Sequence, residues 1–266
     1  MTDDVMNRVQ DHFKESLTMF DESRIVALCL QGSQNYGLQV PGSDVDTKLV
    51  ITPTFDEVVL NKKPISTTHV RENDEHIDLK DIRLMLGTFR KQNVNFIEIL
   101  FTPYTIVNPL FKNEWSRLIA AREQIAHYSP YNAVKTIKGV ALEKYHAMEH
   151  EYPSKVEILA KYGYDPKQVH HLLRIKEFLH RYTDGEPYED CLRPRRPEYL
   201  IAVKQGYFTL DEARIAASSA ITDVVATADG FCEKVGKSFD AEVDDLLNDV
   251  QYNIVKTALK GEILSD

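Results

Sequence analysis

The sequence predicts an α+β fold: a small mixed β-sheet with flanking helices over residues 1–108, followed by an all-helical part over 109–266. Three observations carry this expectation. Short β-rich apolar runs interleave with helical patterns only before Asn108-Pro109, and beyond that point almost every stretch has helical period. Gly and Pro number 11 each in 266 residues, about 8 %, against roughly 12 % in average usage, which is too few breakers for a turn-rich all-β architecture. No internal repeat or low-complexity segment interrupts the chain.

Residues 4–20 place Val5, Val9, Phe13, Leu17 and Phe20 at helical spacing, so an amphipathic helix opens the fold. Arg24–Leu30 (RIVALCL) is a short apolar run of the kind a buried strand needs, and it stops at Gln31-Gly32-Ser33. Asp44–Ile51 (DVDTKLVI) alternates and then turns fully apolar, as a second central strand would. Residues 65–70 (ISTTHV) and 76–82 (HIDLKDI) flank the polar RENDE and predict a hairpin with a loose turn. From Asp81, a helix N-cap, the period changes: Ile82, Leu84, Met85, Leu86 and Phe89 suit one helix, and Asn93–Phe101 another that Pro103 ends. Helices are then expected near 111–126, 130–150, 166–182, 195–205, 210–236 and 239–260, with turns around Pro153, Gly185-Glu186-Pro187 and Lys237-Ser238.

Lys and Arg total 32 against 41 Asp and Glu, a net charge of −9, which excludes a broadly basic nucleic-acid-coating protein while leaving room for a local basic groove. Cys29, Cys191 and Cys232 are odd in number and too dispersed for a metal pair or a disulfide framework, so reduced cysteines with Cys29 buried in a strand are expected. The acidic start and the lack of a long apolar run lead to the expectation of a soluble cytoplasmic protein with no membrane partner.

The chemistry concentrates in Gln31–Val50, QGSQNYGLQVPGSDVDTKLV. Gly32-Ser33 closes one strand and opens a helical turn; glycine lets backbone amides approach an anion, and Ser33 can cap the turn or donate to a phosphate oxygen. Ser43-Asp44-Val45-Asp46 follows where the next strand begins. Residues i and i+2 of a strand share a side, so Asp44 and Asp46 form a pair of carboxylates that a divalent cation would stabilise against mutual repulsion. A third carboxylate from a neighbouring strand would complete a two-metal site. Asp78 in EHIDLKDI is the candidate, able to bridge a metal and take the proton of an attacking hydroxyl, with Asp81 and Glu75 as rivals for the place.

Gly32-Ser33-Gln34-Asn35-Tyr36-Gly37, Ser43-Asp44-Val45-Asp46, Asp78-Leu79-Lys80 and Asn93-Val94-Asn95-Phe96-Ile97-Glu98-Ile99-Leu100-Phe101-Thr102-Pro103 together resemble the DNA polymerase β-like nucleotidyltransferase superfamily. Within it they are most similar to a branch of nucleotidyltransferases from bacteria and their phages. The resemblance covers roughly the first 105 residues. It implies a nucleotidyltransferase domain at 1–108 and a helical nucleotide- and acceptor-binding domain at 109–266. It further implies that Gly32, Ser33, Tyr36 and Ser43 hold a nucleoside triphosphate such as ATP, and that Asp44, Asp46 and Asp78 ligate magnesium, two ions in all. The implied reaction moves a nucleoside monophosphate to an acceptor hydroxyl, on an RNA end, a protein or a small molecule, with release of pyrophosphate. Two rivals stand beside it: a catalytically inactive nucleotide sensor or antitoxin-like partner protein, and a helical interaction protein whose motif is coincidental.

A second signal lies in the helical part. Asp165 caps a helix that Pro166 opens, and Lys167, His170, His171 and Arg174 recur at i, i+3, i+4 and i+7 on one face. This stripe suits a phosphate clamp, and the branch carries a similar Lys-x-Gly-Tyr-Asp segment, here Lys161-Tyr162-Gly163-Tyr164-Asp165, which assigns Lys167, His171 and Arg174 to nucleotide binding by resemblance. The competing reading is a solvated basic face with His171 packed on a neighbouring helix. His170 and His171 have no Cys or carboxylate partner at zinc-site spacing. Arg193, Arg195 and Arg196 read as a solvated basic loop, with contact to phosphate or RNA as the alternative. Most of Tyr128, Tyr131, Tyr145, Tyr152 and Tyr162 read as packing residues with wet hydroxyls, with base stacking by one of them as the alternative.

Overall fold

A computed structural model describes residues 2–265. Helix α1 (Thr2–Met19) opens the chain as expected. Its fully covered face, however, runs Val5, Val9, His12 and Ser16, while Leu17 of the anticipated apolar stripe is exposed. The shift has a chemical cause: His12 is drawn inward by hydrogen bonds to Thr47 and Glu75, and Ser16 bonds back to the His12 carbonyl.

Five strands follow: β1 (Ile25–Gln31), β2 (Asp46–Ile51), β3 (Ser66–Val70), β4 (His76–Asp81) and β5 (Thr105–Val107), with the short helix α2 (Phe55–Val59) between β2 and β3. The sheet order is β3-β4-β2-β1-β5, in which only β2 and β4 run parallel, so the sheet is mixed. Leu28 and Leu30 of β1, Leu49 and Ile51 of β2, and Ile77 and Leu79 of β4 pack with Val5 and Val9 in one core. Because strand side chains alternate, Lys48, Asp78 and Lys80 must face the other way. Asp81 caps helix α3 (Ile82–Arg90) by accepting from the Arg83 amide, as its position before the apolar run predicts. Helix α4 (Val94–Ile97) and a 3-10 turn (Glu98–Leu100) account for the expected 93–101 helix.

The chain divides into two compact units: Met1–Asn35, Gly42–Tyr128 and Phe239–Asp266 in the first, Tyr36–Pro41 and Ser129–Ser238 in the second. This differs from the linear division that the composition shift at 108 suggests. The first unit also contains α5 (Lys112–Ala120) and α6 (Arg122–Ala126). It takes back the last helix too, for Arg90 and Arg117 bind Asp244 and Asp249, both at 2.6 Å, on a helix far along the sequence.

The second unit holds α7 (Pro130–Ala147), α8 (Val156–Tyr162), α9 (Pro166–Thr183), α10 (Tyr188–Leu192), α11 (Pro197–Lys204) and α12 (Leu210–Val235); α13 (Ala241–Ser265) is the returning helix of the first. Helix α9 is central here, burying Val169, Leu172, Ile175, Phe178 and Leu179 against its neighbours. Gly206 closes α11 with φ +88°, and a Cβ built there would sit 2.2 Å from the Tyr162 ring. Gly206→Ala is therefore expected to cost about 2 kcal/mol, part from the left-handed backbone and part from the displaced ring, seen as a Tm drop of roughly 4–8 °C in a thermal melt. No helix among the described residues is long and apolar enough to cross a membrane. Cys29 is buried in β1, where burial pushes its thiol up to about 12.

Candidate functional site

At the end of β1, Gly32 adopts φ +87°, a conformation only glycine reaches without strain, and Ser33–Tyr36 form a 3-10 turn. Asn35 locks the turn. Its amide donates to the Gly32 carbonyl at 3.0 Å, its side-chain NH2 donates to the Leu30 carbonyl at 3.0 Å, and its side-chain oxygen accepts from Thr102 at 2.7 Å. The Asn-x-Asn…Phe-Thr-Pro segment thus reaches back to the Gly-Ser turn through Thr102.

Strand β2 begins at Asp46, directly opposite Gln31 of β1, so Asp44 precedes the ladder and is exposed. The expectation that Asp44 and Asp46 share a strand holds only for Asp46, because the backbone of 43–45 has no β1 partner in the ladder. On the parallel neighbour β4, Asp78 pairs in register with Lys48. Its Oδ2 accepts from Lys48 Nζ and from Gln31 Nε2, each at 3.2 Å, and its Oδ1 accepts from Thr68 at 2.7 Å. Lys48 lies two residues from Asp46 on the same strand, so Asp46, Lys48 and Asp78 occupy one sheet face, opposite the α1 core. The side chains of Asp46 and Asp78 are 33 % and 31 % exposed, whereas Lys48 is only 3 % exposed.

The electrostatics follow from this packing. Burial works to raise the Asp78 pKa, but the Thr68 hydroxyl, the Lys48 cation and Gln31 outweigh it and hold the carboxyl below its ordinary value. Burial lowers the Lys48 pKa against the upward pull of Asp78. The Lys48 ammonium also lies 4.1 Å from the centre of the Phe96 ring, and that of Lys80 lies 4.8 Å from it. Phe96 thereby gives the Asn-Val-Asn-Phe segment a second task, lending its π face to two cations beside Asp78. Asp46 accepts from the His76 amide at 2.9 Å and lies 3.2 Å from His76 Nδ1.

Of the rivals to Asp78, Asp81 is spent on its cap and on Arg83. Glu75 is 1 % exposed and turned toward α1, where Arg8 and His12 meet it. Neither joins the Asp46–Asp78 face. Among the described residues, no group of three or more His, Cys, Asp or Glu side chains is gathered into a ready-made metal cluster. Asp46 and Asp78 nevertheless suit magnesium in donor chemistry, being two partly exposed carboxylates on one face. That ion commonly takes one or two carboxylates and completes its shell with phosphate and water oxygens.

The second unit carries the other expected residues. Arg174 stacks its guanidinium 4.3 Å over the ring of the buried Tyr36, while Lys167 is exposed. Asp165 caps α9 through the Lys167 amide with Pro166 at the first turn, as expected. The four-residue basic stripe is corrected at His170, which is buried with Nδ1 2.7 Å from the Leu200 carbonyl and so faces α11. Burial, with the Arg174, Lys204 and Lys167 cations, lowers its pKa to about 4 despite that hydrogen bond. Burial and then Arg174, His170, Lys167 and Lys144 hold His171 well below the ordinary value. Lys144 of α7 is a cation that the α9 pattern alone does not disclose. The Arg193–Arg196 loop is paired with groups that flank it, Arg193 with Glu189 and Arg195 with Glu186, while Arg196 lies over Tyr199. This agrees with a surface-loop reading.

A pH dependence follows from His170. Its folded pKa is depressed, so its contribution to stability is complete above about pH 6.5 and is lost as pH falls toward about 4, where the folded ring also protonates. The contribution is on the order of 3 kcal/mol. Melts from pH 7.5 to 4.5 are expected to show a steeper fall in Tm for the natural chain than for His170→Asn.

No curated protein matches the chain. A family model described as the RNA repair pathway DNA polymerase beta family matches residues 1–180, which take in the sheet, the Gly-Ser turn, the aspartates and most of α9. With two thirds of its length matched, the chain belongs to this family, a polymerase β-like nucleotidyltransferase family.

Proposed function

We propose that the chain transfers a nucleoside monophosphate from a nucleoside triphosphate to the hydroxyl of an RNA end, in a magnesium-dependent reaction that releases pyrophosphate. The observation that carries this reading is the shared face of Asp46 and Asp78 on the parallel pair β2–β4. RNA is favoured over a protein or small-molecule acceptor because the family's description names an RNA repair pathway.

Asp46 and Asp78, with Asp44 just before the strand, would hold magnesium, two ions in the full reading. The bound metal supplies positive charge that offsets the triphosphate and favours the ionised acceptor hydroxyl. The chain's own groups do the rest. The Gly32-Ser33 turn offers backbone N–H groups and a hydroxyl to phosphate oxygens, and Ser43 adds another hydroxyl. Asp78 takes the proton of the acceptor hydroxyl as its oxygen bonds to the α-phosphorus and the bridge to the β-phosphate breaks. Lys48, Gln31 and Thr68 fix the Asp78 carboxylate for that task. In the second unit, Lys167 and Arg174 are proposed as phosphate-binding cations, with the neutral His171 and Tyr36 beside them. Their part rests on local chemistry and resemblance.

The test is to incubate the protein with each labelled triphosphate, magnesium and a short RNA bearing a free or a phosphorylated 3′ end. Addition of one or more nucleotides with stoichiometric pyrophosphate supports the reading. Labelled protein or small molecule in place of RNA transfers the acceptor assignment, and triphosphate binding without product under any acceptor favours a nucleotide sensor.

A further inference from the structure

The Ser43–Asp46 segment presents the proposed metal ligands before β2 has joined the sheet, so the β-ladder does not fix the backbone of residues 43–45. Something else must. Behind it lies Glu75, a buried carboxylate that accepts from five donors. These are the Val45 amide at 2.9 Å, His12 Nε2 at 3.0 Å, Arg71 Nη1 at 2.9 Å, Asn73 Nδ2 at 2.8 Å and the Arg8 guanidinium. Arg8 also donates to the Ser43 carbonyl at 3.2 Å, and His12 Nδ1 lies 2.9 Å from Thr47 Oγ1. Burial and the nearby Arg71 lower the His12 pKa to about 4, so the ring is neutral. A carboxylate only accepts, so Nε2–H donates to Glu75 and Nδ1 accepts from the Thr47 hydroxyl.

The network grips residues 43, 45 and 47, every second position, while 46 and 48 point to the opposite face. On that front side, the residue after Glu75 completes the hold, since the His76 amide donates to the Asp46 carboxylate. Burying a carboxylate, a histidine and parts of two arginines is a poor way to gain stability, because well-packed apolar residues serve as well or better. Such a network does impose a single conformation on the groups it touches. We propose that Glu75 is a positioning residue that sets the Ser43–Asp46 backbone, and with it the metal affinity of the Asp44 and Asp46 carboxylates. The proposal rests on the metal-dependent reading above.

The experiment compares the natural chain with Glu75→Gln, Arg8→Gln and Glu15→Gln. Glu15 binds Arg71 and His69 on the same side of the sheet and reaches Glu75 only through Arg71, so its variant reports loosening at the rim of the network with the contacts to residues 43 and 45 left in place. Manganese binding is measured by electron paramagnetic resonance in the presence of a non-hydrolysable triphosphate, alongside Tm. Glu75→Gln is expected to weaken manganese binding at least tenfold and Arg8→Gln about threefold, with Glu15→Gln unchanged. The magnesium concentration for half-maximal transfer should shift in parallel and saturating magnesium should restore most of the rate. Arg8 is partly exposed, so its variant decides the matter if Glu75→Gln fails to fold. Natural affinity in a folded Glu75→Gln or Arg8→Gln overturns the proposal, as does an equal loss in Glu15→Gln. A natural chain that binds no manganese and transfers nothing overturns the metal-dependent reading itself, and the positioning role falls with it.

Discussion

Asp78→Asn is expected to reduce nucleotide transfer by about a thousandfold, because in the proposed reaction it removes a magnesium ligand and the acceptor of the hydroxyl proton in one substitution. Asp46→Asn should fall by a similar factor. The two differ in stability. Asp46 is partly exposed and its amide replacement still accepts from the His76 amide, so the Tm of Asp46→Asn should stay within a few degrees. Asp78→Asn leaves the almost wholly buried Lys48 without a carboxylate, a change expected to cost about 1–3 kcal/mol. Single-turnover rates and melts of both variants check the two halves. Near-natural transfer in either variant would remove the aspartate pair from the chemistry.

Lys48→Met should separate positioning from stability. Methionine is close to lysine in length and can rest against Phe96, and the Asp78 carboxylate left behind is partly exposed and keeps its bonds from Thr68 and Gln31, so the Tm should change little. Transfer should nevertheless drop roughly 10- to 100-fold, because Asp78 loses the charge-assisted bond that orients it. Manganese should bind more tightly, not more weakly, once the competing ammonium is gone. Rate and metal affinity moving in opposite directions are the signature to look for in rapid-quench and calorimetric measurements.

Much of this arrangement is legible in the sequence, and the exceptions share one cause. The apolar run of β1, the hairpin around RENDE, the Asp81 cap and the Asp165-Pro166 helix start are local signals, and each appears in the structure where the residues place it. Lys48 had a signal too: position i+2 from Asp46 puts it on the same face, although its partner is 30 residues away on β4. Glu75 sits among polar residues typical of an exposed turn. Its burial depends on Arg8 and His12, 67 and 63 residues earlier, which no local pattern reveals. His170 fits a basic stripe by helical spacing until the Leu200 carbonyl, 30 residues later, gives its ring a buried partner. The return of α13 to α3 and α5 depends on Arg90 and Arg117 finding acids more than 100 residues on. Gly32-Ser33 at the end of β1 and Asp46 at the start of β2 are local placements that the structure keeps; Asp44 lies two residues outside the strand pairing assumed for it.

The most direct measurement is a crystal grown with manganese and a non-hydrolysable nucleoside triphosphate, examined by anomalous diffraction. A manganese peak is expected within coordination distance of carboxylate oxygens of both Asp46 and Asp78, with triphosphate oxygens completing the shell. An ordered triphosphate whose metal touches neither aspartate would overturn the proposed metal site.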